Sequence, residues 1–120
     1  MSDEMTKLML ERTKKFALRV LSLAEALPKT VTGRTISSQL ARSATSVAAN
    51  YRAAQRARSR AEFIAKVTIC QEEADETLFW IELLEEAKVL DAKRLEALKD
   101  ESDQLVAIIV SSLKTTKQRH

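Results

Sequence analysis

One glycine, one proline and one cysteine occur in the whole 120-residue chain. Residues that make tight turns are therefore almost missing, which argues against a β-sheet protein and for a helical one. The single Cys70 excludes an internal disulfide framework and suits a reducing compartment, so a cytoplasmic location is expected. No apolar run reaches the roughly 18 residues of a membrane span. The opening Met1-Ser2-Asp3-Glu4-Met5 is acidic where a secretory signal would be basic, so no membrane partner is expected.

Histidine is equally scarce. The only one is His120, which leaves no Cys/His set to hold a metal and no Glu-x-x-His pair of the kind used by di-iron bundles. Glu72, Glu73 and Glu76 are close in sequence, but runs of glutamate on helices are ordinarily solvated. Serine and threonine are plentiful without a base beside them, and no glycine-rich loop is present to cradle a phosphate. Cys70 falls on a core stripe and reads as an inert thiol. The expectation is a protein without catalytic residues, metal or cofactor, and not an enzyme.

What the chain does have is 45% apolar and 31% charged residues, the composition of a helical bundle. Its length suits a single domain, residues 1–120. Apolar spacings of three, four and seven predict helices at about 4–27, 34–57, 60–88 and 91–114. The first buries Met5, Met9, Phe16, Val20, Leu23 and Leu27, with Leu10, Leu18 and Leu21 outside that stripe, and Pro28 stops it. The second buries Ile36, Leu40, Val47, Tyr51 and Ala54 and starts near Gly33, after a joint that holds the only Pro and Gly. Ser59-Arg60-Ala61-Glu62 has the form of a capping box and opens the third, whose stripe is Phe63, Val67, Cys70, Ala74, Leu78 and Ile81. Asp91 is the expected N-cap of the fourth, which carries Leu95, Leu98, Leu105, Ile109 and Leu113 and leaves a basic tail from Thr115. The fold class is all-α, an antiparallel up-and-down four-helix bundle.

Charge is segregated between the second and third helices. Arg34, Arg42, Arg52, Arg56, Arg58, Arg60 and Lys66 stand against the single acid Glu62; then Glu72, Glu73, Asp75, Glu76, Glu82, Glu85 and Glu86 follow with no base among them. At about 100° per residue, Arg34, Arg42, Arg52 and Arg56 share an arc of roughly 80° opposite the core stripe. Two uses are open to these cations: neutralising the phosphates of RNA or DNA, or answering the acids of the third helix in the same or a neighbouring chain. A second surface is marked by Phe79, Trp80 and Leu83, which fall in the sector of Glu72 and Glu76 and not with Phe63 and Val67. Clustered aromatics on an outer side mark a contact, and the reading is self-association, with packing of Trp80 in its own bundle as the alternative.

Several of these stretches form a pattern: Leu27-Pro28; Ser38-Gln39 with Arg42, Ser46 and Asn50; Ser59 with Glu62-Phe63-Ile64; and Glu72-Glu73-Ala74-Asp75-Glu76 with Leu83-Leu84. The pattern resembles the bacterial four-helix bundle protein family, which includes proteins encoded by intervening sequences in large-subunit ribosomal RNA genes. More distantly it is similar to the accessory variability protein of diversity-generating retroelements. The resemblance covers about residues 20–90 and rests on Gln39, Arg42, Ser46, Asn50, Glu62 and Phe63. It implies a non-enzymatic bundle assembled as a ring-like homopentamer with a basic surface suited to nucleic acid. Many members continue Asn-x-x-Glu-Gly where this chain has Asn50-Tyr51-Arg52-Ala53-Ala54, so a role tied to that Glu-Gly pair does not carry over. The expected function is nucleic-acid binding by a homo-oligomer; the alternative is a protein adaptor, for example an accessory subunit of a reverse transcriptase.

Overall fold

Four α-helices make up nearly all of the structure, a computed structural model that describes residues 3–118: α1 (Asp3–Ala26), α2 (Val31–Ala54), α3 (Arg60–Glu86) and α4 (Ala92–Gln118). Each packs on its neighbours in sequence, α1 also touches α4, and the diagonal pairs do not meet. This is the antiparallel up-and-down bundle, 49 × 22 × 20 Å. His120 lies outside the described residues, while the stretch from Thr115, expected as a basic tail beyond the helix, continues α4 to Gln118.

The second helix starts three residues before the expected Arg34. Thr30 is extended, and its hydroxyl accepts the Gly33 amide at 3.0 Å, so Val31 is already helical and Gly33 sits in the first turn. Glycine is required there by proximity: a Cβ would stand 1.8 Å from the Pro28 carbonyl oxygen. At its other end α2 stops at Ala54, earlier than the predicted 57, where the amides of Arg56 and Ala57 tighten onto the carbonyls of Ala53 and Ala54.

The Ser59 box forms with one change. Ser59 accepts the Glu62 amide at 3.0 Å, but the Glu62 carboxylate reaches one residue further back, to the Arg58 amide at 3.1 Å. At the end of α3, Lys88 takes the left-handed conformation (φ 57°) without being glycine. The Val89 amide bonds to Leu84 O and the Lys88 amide to Glu85 O, the paired contacts of a Schellman cap. The first turn of α4 contains no acid, and Asp91, the expected N-cap, accepts the Arg94 amide on its backbone carbonyl at 3.0 Å.

The core runs the length of the bundle: Phe16 and Val20 from α1, Leu40, Val47 and Tyr51 from α2, Val67, Ile81 and Leu84 from α3, Leu105 and Ile109 from α4 are all 1% exposed or less. Each such side chain contributes ~1.5–3 kcal/mol relative to exposure. Polar groups join this core when paired. The hydroxyls of Ser43 and Thr77 are 2.8 Å apart across α2 and α3, and Thr77 also bonds to Glu73 O. Met5, expected on the α1 stripe, is 42% exposed, because it lies at the end of the bundle where α2 has already finished. No helix among the described residues is long and apolar enough to cross a membrane.

Candidate functional site

The seven cations singled out from the sequence divide into two groups by what their side chains touch. Arg42 is spent inside the molecule: Nη1 donates to Glu73 at 2.8 Å, Nη2 to Glu76, and Nε to Gln39 at 3.0 Å. Arg60 donates to the carbonyls of Thr116 and Lys117, at 2.6 and 3.1 Å, and so satisfies the last turn of α4. Arg34 reaches back to the Lys29 carbonyl at 2.9 Å. These three serve helix ends and helix contacts.

The other four converge. Arg52 from the last turn of α2, Arg56 and Arg58 from the connection and Lys66 from the second turn of α3 surround one shallow depression of about 410 Å³. Among the described residues none of the four side chains forms an ion pair. Glu62 shares this depression, with its carboxylate on the Arg58 amide. The convergence follows from topology: the short turn at residues 55–59 brings the end of α2 beside the start of α3, so bases 14 residues apart in sequence line one hollow.

On the other flank of α2, Arg52 and Arg56 also border a groove of about 620 Å³ against α1, floored by Leu10, Ala17, Ala48 and Ala49. Lys14 stands at its rim, a cation the sequence reading missed. Its position depends on how α1 lies against α2, which no spacing within α1 reveals. A cleft of similar size, about 630 Å³, lies at the bundle end between Met5, Thr6, Phe63, Ile108, Ser111 and Thr115. Its lining is apolar and hydroxylic, with no ionisable side chain to run chemistry.

Phe79 and Leu83 stand on the outer side of α3, 51% and 37% exposed. Trp80 does not share that side. One residue beyond Phe79 the helix has turned by about 100°, so the indole packs partly buried against the core and donates to Glu76 at 3.0 Å, while its edge meets the Phe79 ring at 5.0 Å between centroids. Trp80 is thus a packing residue of its own bundle within this chain.

Among the described residues no group of acids, cysteine and histidine is arranged to hold a metal ion, and Glu73 and Glu76 are both taken up by Arg42. Cys70 is buried, its thiol 3.5 Å from Val47 O, and burial pushes it up to about 12. Tyr51 is likewise pushed up to about 12, chiefly by burial and secondly by the nearby Cys70.

The residues that carry the family pattern mostly hold the fold together. Gln39 and Arg42 link α2 to α3, Asn50 donates to Ser46 at 2.9 Å one turn before it, and Glu62 caps α3 while Phe63 packs on the core. Comparison with known proteins places the chain among similar bundles. The model of the 23S rRNA-intervening sequence protein family matches residues 7–111. A crystal structure from Bacteroides thetaiotaomicron VPI-5482, of a protein with unknown function from the S23 ribosomal protein family, is 32% identical with a TM-score of 0.84, over 91% of this chain and 97% of that one. No curated protein matches the sequence. With that family model matching most of its length, the chain belongs to the 23S rRNA-intervening sequence protein family.

Proposed function

We propose that the protein is a non-catalytic, cytoplasmic homo-oligomer that binds nucleic acid through Arg52, Arg56, Arg58 and Lys66. The observation that carries this reading is the unpaired state of four converging cations, in a chain that ties Arg42, Arg60 and Arg34 into its own structure. Phosphates are the natural counterions of such a hollow: shallow, with four cations against the one acid Glu62, it neutralises a backbone without reading bases. No aromatic ring lines it, so base stacking plays no part. Phe79 and Leu83, exposed and apolar, support self-association, with a pentamer as the expected assembly.

Fluorescence anisotropy with labelled RNA and DNA oligonucleotides tests the reading: binding that weakens steeply with added salt is expected, and no binding at low salt would sink it. Affinity purification with and without nuclease separates the adaptor alternative, because a protein partner such as a reverse transcriptase stays bound after nuclease treatment.

A further inference from the structure

The groove between α1 and α2 has an apolar floor of small residues and a basic rim, Lys14 and Arg52, neither ion-paired among the described residues. Alanines at 48 and 49 let another helix come close, and the groove is long enough to take successive turns of one. The outer face of α3 has the opposite character. Phe79 and Leu83, one turn apart, form an apolar ridge. Glu72, Asp75 and Glu86 share that outward arc and form no ion pair among the described residues.

An apolar ridge flanked by acids is the counterpart of an apolar groove flanked by bases, yet the two cannot meet within one chain, since α3 packs between α2 and α4 and makes no contact with α1. We propose that the Phe79–Leu83 ridge of α3 docks into the α1–α2 groove of a second copy of the chain. The proposal rests on the self-association reading above and adds the receiving surface and the type of contact. Two different patches meet, so the interface is heterologous, and it propagates head to tail until the rotation closes a ring. Arg52 borders both the groove and the hollow; in the assembled protein it and Lys14 turn toward the acids of the neighbour, which narrows the four cations named above to Arg56, Arg58 and Lys66 for the nucleic acid.

Complementation between two broken copies tests this directly. F79A/L83A removes the ridge and K14E/A49E blocks the groove; all four positions are exposed, and circular dichroism checks that both variants fold. By light scattering the wild type is expected at a mass of several chains and each variant at the mass of one. Mixed, the variants are expected to form a 1:1 pair and nothing larger, because one intact groove and one intact ridge remain between them. If K14E/A49E still assembles alone, or the mixture stays monomeric, the docking proposal is overturned while self-association stands; a monomeric wild type overturns both. Charge reversal gives a second route: K14E/R52E is expected to be monomeric and to regain assembly on mixing with E72K/D75K, and failure to do so counts against the proposal.

Discussion

Trp80 donates its indole N–H to the carboxylate of Glu76 at 3.0 Å, and the same carboxylate oxygen receives Arg42 from the facing helix. The only tryptophan therefore reports on the α2–α3 contact through a shared acid. Arg42→Gln should change the Trp80 emission and lower stability by about 0.5–1 kcal/mol, small because the arginine is nearly half exposed and screened by solvent. Intrinsic fluorescence during urea unfolding measures both. An unchanged emission spectrum would show that Glu76 holds Trp80 without help from α2.

Among the described residues the Ser43–Thr77 pair and the Cys70 thiol on Val47 O are the polar links through the buried heart of α2 and α3. Removing one partner costs the other this bond but leaves it a backbone acceptor, Glu73 O for Thr77 and Leu40 O for Ser43, so each single change should cost about 0.5–1.5 kcal/mol, and once one partner is gone the second removal has no mutual bond left to break. Ser43→Ala and Thr77→Val are thus expected to be less than additive in a double-mutant cycle followed by urea denaturation. Additive losses would mean that the two hydroxyls do not depend on each other.

Gly33 needs the absence of a side chain and Lys88 would gain from it, so opposite exchanges at the two sites have opposite effects on stability. Gly33→Ala drives a methyl into the Pro28 carbonyl and should destabilise by about 1–3 kcal/mol although alanine favours helices. Lys88→Gly relieves a left-handed residue at the α3 cap and should stabilise by up to about 1 kcal/mol. Thermal melts of the two variants should move in opposite directions.

Burial of Cys70 and Tyr51 makes the fold sensitive to alkali. Their ordinary values are 9.0 and 10.0, and each is pushed up to about 12 in the folded chain. Between those limits the unfolded chain has released protons that the folded chain keeps, so stability is full below about pH 9 and falls as pH rises toward 12. Urea midpoints measured from pH 7 upward should be flat and then decline, and the decline should be shallower in C70A or Y51F. Native Cys70 should also react slowly with thiol reagents until the protein unfolds.

Helix number, order and inward faces were legible because period alone settles them: Ile36, Leu40, Val47, Tyr51 and Ala54 are all buried as their spacing requires. Helix ends were not, because the marks that normally show them are displaced. Gly33 lies inside α2, where its small size admits Pro28, and the cap of α3 uses Lys88 where glycine is usual. The basic set was legible as a list but not as a site. Whether an arginine meets an acid depends on the register between two helices, and that register gives Glu73 and Glu76 to Arg42 while leaving Arg52 and Arg56 without acids. Trp80 shows the same limit on a smaller scale, since one residue of helical rotation separates a surface ring from a packed one.

The division of the arginines is tested most directly by the salt dependence of nucleic-acid binding in two variants. R56Q/R58Q/K66Q leaves Lys14, Arg52 and the α2–α3 ion pairs unchanged but removes three cations from the hollow. It should bind more weakly at low salt, with the slope of log affinity against log salt reduced in magnitude by about 2–3, while R42Q keeps the wild-type slope. An unchanged slope in the triple variant, or an equal loss in R42Q, would contradict the assignment of phosphate binding to the hollow between α2 and α3.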